Sequence, residues 1–122
     1  MTLAVDNAAP IYIQLVEEIK MQIIAGNLQP SERLPSVREW ALQNKVNPNT
    51  MQKALLQLEE DGLIYTERTN GKFVTADTAR IEQARLAFAD ALSKQYLGHM
   101  ARIGYSAAQT IGHLKDTKGE HT

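Results

Sequence analysis

A chain of 122 residues has room for one compact domain, or a small domain with an appendage, but not for two full cores. It contains no cysteine, which excludes disulfides and thiolate metal or redox chemistry, and 13 Lys+Arg against 14 Asp+Glu leave a net charge of −1, no general attraction for nucleic acid. No apolar run reaches the roughly 20 residues of a membrane span, and MTLAVDNAAP lacks a charged region followed by an apolar core, so a cytoplasmic protein is expected.

The first strong pattern is PIYIQLVEEIKMQIIAG. Pro10 suits a first helical position, Tyr12, Leu15, Val16, Ile19 and Ile23 recur at three-to-four spacing, and Gly26 is placed to stop the helix. NLQPSERLP then reads as a loop carrying a short strand. In PSVREWALQN, Ser36 and Glu39 form an S-x-x-E capping box. Val37, Trp40 and Ala41 share one face of that helix and Arg38 points away from it.

After the short connection NKVN comes VNPNTMQKALLQLEEDG. A proline inside a helix costs roughly 3 kcal/mol, so Pro48 marks a start: Asn47 is the N-cap and Pro48 the first helical residue. Met51, Ala54, Leu55 and Leu58 make the core face, with Asn49, Gln52, Lys53 and Leu56 opposite and Thr50 at the flank. Two short helices so joined match a helix-turn-helix. LIYTERTNGKFVT is a hairpin around the pair Asn70-Gly71, with Arg68 and Lys72 beside the turn. The expected fold is mainly α with a small β-hairpin, a winged helix-turn-helix.

The region from residue 77 to 122 differs. From about Thr78 to Met100, Ile81, Ala84, Phe88, Leu92 and Gln95 trace a seam with Ala87, Ala91 and Tyr96 near it, and Ser106 with Gln109 caps a last helix carrying Ile111 and Leu114. Two such helices make no core alone, so their apolar faces must cover each other, the winged domain or a second subunit.

Polar residues on an exposed helix face are the rule and need no function. At the start of a recognition helix, however, amides pair with adenine edges, lysine reaches guanine or phosphate, and threonine offers a hydroxyl or a methyl. A surface arginine such as Arg38 can equally pair with Glu39 or Glu32, but at the exposed start of the first motif helix it sits where the DNA backbone is crossed. Arg68 and Lys72 are either solubilising charges or wing contacts to phosphate or the minor groove. Glu59, Glu60 and Asp61, at the far end of the recognition helix, should face away from phosphates. His99, His113 and His121 show no metal-ligand spacing, the serines lie in no nucleophile motif, and there is no glycine-rich phosphate loop. Neither an enzyme, a metal nor a cofactor is expected.

The LPSVRE block, the VNPNT helix start, the L-x-x-L-E-x-D-G-L-I exit and the G-x-F-V wing, in that order, resemble the DNA-binding domain of GntR-type bacterial transcription regulators. The short two-helix tail and NPNT resemble the YtrA branch in particular. The resemblance implies a winged helix-turn-helix domain over residues 10 to 76 and a dimerisation tail over 77 to 122 built on Ile81, Ala84, Phe88, Leu92, Tyr96, Ile111 and Leu114. It implies DNA contact by Arg38, Asn49, Thr50, Gln52 and Lys53, with Ser36 a phosphate-facing cap and Gly71 at the wing turn. Asn47, Asn70, Arg68 and Lys72 complete the DNA-facing set. Three departures stand out: Lys45 where glycine is frequent, Asn44 where an apolar residue is usual, and Thr69 where the wing often has a first glycine. The expected partners are an inverted-repeat operator and a second copy of the chain, with repression the expected outcome. An effector is unspecified, since a tail this short offers a pocket only between subunits. The alternative is a winged-helix protein-interaction module without specific DNA readout.

Overall fold

The computed structural model describes residues 9–117; residues 1–8 and 118–122, His121 among them, lie outside the described part. The elements run α1 (Ile11–Ile24), α2 (Val37–Asn44), α3 (Pro48–Glu60), β1 (Ile64–Glu67), β2 (Gly71–Val74), α4 (Thr78–Arg102) and α5 (Ala107–Thr117). They fall into two compact units, one ending at Ala84 and the other starting at Arg85.

In the first unit α3 is central, with α1 and α2 packed against it. Leu15, Ile19 and Ile23 of α1 meet the expected core face of α3, where Met51, Ala54, Leu55 and Leu58 are all fully buried. Leu34, Trp40, Leu63, Ile64 and Val74 close this core. Tyr12, expected in the buried stripe, is only half-buried. Pro10 is displaced by one position from expectation: at φ −56° and ψ 147° it precedes the helix, which begins at Ile11.

Each boundary around α3 has a local cause. Lys45 caps α2 in the left-handed conformation, φ 55° and ψ 44°, the role that glycine would fill without strain. Asn47 Oδ1 then accepts a hydrogen bond from Asn49 N at 2.7 Å, with Pro48 in the first helical turn. At the other end Gly62, φ 77°, lets Leu63 N bond back to Leu58 O at 3.1 Å. Asn44 is buried, its amide donating to Trp40 O at 2.9 Å while its Oδ1 has no hydrogen-bond partner among the described residues.

The hairpin pairs Ile64 with Val74 and Glu67 with Gly71. Its turn is therefore the three residues Arg68, Thr69 and Asn70 rather than a two-residue Asn70-Gly71 turn. Asn70 N bonds to Glu67 O at 3.3 Å and only Gly71, φ 98°, takes the positive-φ position. With the left-handed position at Gly71, a first glycine at Thr69 is unnecessary. Residues before Leu34 add a third strand segment: Arg33 bridges to Phe73, flanked by Leu34 N to Lys72 O at 2.8 Å and Val74 N to Glu32 O at 2.9 Å.

In the second unit Gln109 N bonds to Ser106 Oγ at 3.1 Å and Ser106 N to Gln109 Oε1 at 2.8 Å, the full capping box of α5. Met100 and Thr110 are buried, and His113 meets Tyr105 edge-on at 5.9 Å. Leu92, Tyr96, Ile111 and Leu114 are exposed, with Leu92 at 53% and Ile111 at 52%. Ala84 and Phe88 are half-buried. Ile81, by contrast, is buried at 6% exposure.

Candidate nucleic-acid interface

The start of α3 carries the sequence-expected reading residues. Its cap fixes the first turn, so Asn49 is exposed, Gln52 and Thr50 are half-buried at the edges, and Lys53 lies one position around from Gln52. Leu56 extends the same sector, 48% exposed. Lys53 is less free than expected: its Nζ sits 4.1 Å from the centroid of the Tyr12 ring on α1, a cation–π contact that leans the side chain toward one flank.

At the start of α2, Glu39 N donates to Ser36 Oγ at 3.1 Å, and the Ser36 hydroxyl donates to the Glu39 carboxylate at 3.0 Å. The box is thus closed between side chains, and the Ser36 hydroxyl proton is already engaged. Arg38, on the exposed side of the same turn, has no hydrogen-bond or ion-pair partner among the described residues.

The wing differs from expectation at Lys72. Thr66 and Lys72 are cross-strand partners on the face turned to α3, where Lys72 Nζ contacts Glu59 Oε1 at 2.8 Å and Thr66 Oγ1 at 2.9 Å. The Thr66 hydroxyl also donates to Glu59. Lys72 is consequently no free charge beside the turn, and Glu59 faces the wing rather than open solvent. Burial pushes the Glu59 carboxyl up, but the hydrogen bonds from Lys72 and Thr66 and the Lys72 charge outweigh it and hold it below its ordinary value. Arg68, in the turn, is exposed and unpaired among the described residues, and Asn70 donates to Glu67 Oε2 at 2.9 Å, stapling the turn.

Taken together, an exposed amide-bearing helix start, a second helix start with a free arginine and a hairpin with a free arginine occupy one unit. The description "Bacterial regulatory proteins, gntR family" matches residues 11–74, the span from α1 to the last residue of β2. The chain belongs to the GntR family. It is a transcriptional regulator with the DNA-binding domain of that family. A GntR family transcriptional regulator from Listeria monocytogenes is 38% identical with a TM-score of 0.85, covering 92% of this chain and 98% of that one. The HTH-type transcriptional repressor YtrA of Bacillus subtilis is 38% identical over 78 residues, 62% of this chain and 60% of the relative. The structure of the AraR DNA-binding domain in complex with operator ORX1 has a TM-score of 0.56 at 30% identity, covering 62% of this chain and 95% of that one.

Within this GntR fold the structure brings Asn47, Asn49, Thr50, Gln52 and Lys53 together on the first turns of α3, and Arg68, Asn70 and Gly71 at the wing tip. Sequence reasoning missed Arg33. Its bridge to Phe73 makes it part of the wing. The alternation of Arg33 with the buried Leu34 was the available signal.

Proposed function

We propose that this GntR regulator is a homodimeric, cytoplasmic repressor that binds an inverted-repeat operator through α3. Asn49 and Gln52 read base edges in the major groove, Thr50 and Lys53 contact base or backbone, and Arg38 and Ser36 fix the start of α2 on the phosphates. Residues 10 to 76 act as the reading domain. Residues 77 to 122 pair the subunits through Ala84, Phe88, Leu92, Tyr96, Ile111 and Leu114. The observation that carries the reading is the capped start of α3, where Asn47 holds Asn49 N at 2.7 Å and so sets the direction in which Asn49 and Gln52 leave the helix. The exposed apolar residues of α4 and α5 support the pairing, since a monomer gains nothing by leaving them in water. Repression is supported by the naming of YtrA, and operator binding by the AraR complex. A two-fold dimer presents two recognition helices about one helical turn apart, hence the inverted repeat.

Fluorescence anisotropy with the duplex upstream of the chain's own gene, against an unrelated duplex of equal length, tests the reading. Tighter binding to the upstream duplex is expected, with two chains per site. Equal affinity for both duplexes at every salt concentration refutes specific readout.

A further inference from the structure

The wing sequence carries two cations, Arg68 in the turn and Lys72 beside it. Lys72 is occupied by Glu59 at 2.8 Å, with side-chain exposures of only 15% and 26% for the pair. A lysine tied to a carboxylate presents a dipole, not a charge, to an approaching phosphate.

The third strand segment supplies a replacement. The bonds from Leu34 N to Lys72 O and from Val74 N to Glu32 O flank Arg33 and Phe73, which makes these two a non-hydrogen-bonded antiparallel pair with side chains on one face. That face is opposite to the one carrying Thr66 and Lys72. The next position along β2 on the Arg33 face is Gly71, and the Arg33 guanidinium lies alongside it within ordinary van der Waals reach. An ideal Cβ on Gly71 would stand 3.7 Å from Arg33 Nε and 3.8 Å from its outer nitrogen. The carboxylates that line the same cavity are engaged elsewhere, Glu32 by Gln29 N at 2.8 Å, Glu39 by Ser36 Oγ at 3.0 Å and Glu67 by Asn70 at 2.9 Å. Among the described residues Arg33 has neither an ion pair nor a hydrogen bond to its guanidinium. Arg33, Arg68 and Ser36 all line one open cavity of about 840 Å³ between the start of α2 and the hairpin.

We propose that Arg33, laid over Gly71, is the second cation of the wing and contacts a DNA backbone phosphate, the role that sequence order gave to Lys72. This rests on the DNA-binding reading above and adds a residue to it. A planar, always-charged guanidinium held against the ribbon suits a phosphate fork better than a tethered ammonium.

The test uses the full chain and two duplexes, one enriched by the protein from a randomised library and one unrelated. Affinities are measured from about 50 to about 200 mM salt, where each phosphate contact adds roughly 0.9 to the logarithmic slope. Arg33→Gln is expected to flatten the slope by about 0.9 per bound chain on both duplexes, with an unchanged ratio between them, and Arg33→Lys to restore it. The charge-neutral pair of changes Glu59→Gln with Lys72→Met is expected to leave the slope as in the wild type. A wild-type slope for Arg33→Gln refutes the assignment, and if the Glu59/Lys72 variant flattens instead, the contact returns to Lys72. A change in the ratio between duplexes would make Arg33 a base reader and equally overturn the phosphate role. A wild type that binds neither duplex removes the DNA-binding reading itself, an outcome distinct from all of these.

Discussion

Replacing Glu59 with glutamine preserves the size of the side chain and removes the charge that fixes Lys72 and Thr66 against α3. In the native fold one carboxylate oxygen takes the Lys72 ammonium at 2.8 Å. Exposed ion pairs contribute about 0.2–1 kcal/mol, and breaking fully buried ones costs about 3–5 kcal/mol. With side-chain exposures of 15% and 26% this pair stands between the two, nearer the surface class. A coupling of about 1 kcal/mol follows, equivalent to about 5 °C in melting temperature for a unit of this size. The pH dependence has a definite sign. Because the carboxyl of Glu59 is held below its ordinary value of 4.5, the unfolded chain binds the proton more readily. The contribution is therefore fully present above that value and disappears as pH falls through the lower folded-state value. A double-mutant cycle of Glu59→Gln and Lys72→Met, followed by urea denaturation at about pH 7 and again near pH 3, should show the coupling at the first and lose it at the second. Additive single changes at neutral pH, or a coupling that survives acid, would refute the bridge as the link between wing and recognition helix.

Four further outcomes are expected. Leu55→Ala removes a side chain with 0% exposure at the heart of α3 and should cost about 3 kcal/mol in urea denaturation; a loss under about 1 kcal/mol would show that the site collapses freely. Lys45→Gly relieves a left-handed lysine at φ 55°, and even after the extra chain entropy of glycine the domain should gain about 0.5 kcal/mol; a loss would mean that the Lys45 side chain holds something in place. Asn44→Leu removes a buried oxygen without a partner among the described residues and should raise stability by about 1 kcal/mol by calorimetry; a loss would show that the bond from Asn44 to Trp40 O at 2.9 Å outweighs it. Gln52→Ala should leave the melting temperature alone and weaken operator binding by about 1–3 kcal/mol while sparing unrelated DNA; equal weakening of both would assign Gln52 to the backbone.

Features set within a few residues were legible in the sequence. Asn47 and Pro48 start α3 because cap and first-turn preferences act locally, and the left-handed Lys45 followed from a position where a glycine is frequent. The hairpin was legible as a hairpin, but its turn was not. Asn70-Gly71 satisfies a two-residue turn as well as a three-residue turn with Gly71 in the left-handed position. The choice is made by register, since pairing Ile64 with Val74 puts both side chains into the core and leaves three residues over at the tip. The charges were the least legible part. Glu59 and Lys72 are 13 residues apart, and Lys53 meets Tyr12 across two helices. Neither pairing has a local signature.

Those pairings also explain how a chain of net charge −1 can carry a DNA interface. Net charge counts every ion equally, whereas a phosphate a few ångströms away responds to cations that lack a counter-ion at that range. In this fold Lys72 is committed to a carboxylate, whereas Lys53 rests over the Tyr12 ring and has no ion pair among the described residues. Arg33, Arg38 and Arg68 keep their guanidinium groups unpaired among the described residues. On the proposed reading these arginines supply the salt-dependent grip and the amides of α3 supply base choice. Phosphate contacts carry no sequence information directly, and neutral amides release no counter-ions. Affinity and specificity then reside in different side chains. A substitution among the arginines should move binding to all DNA together, and one among the amides should change only which DNA is preferred.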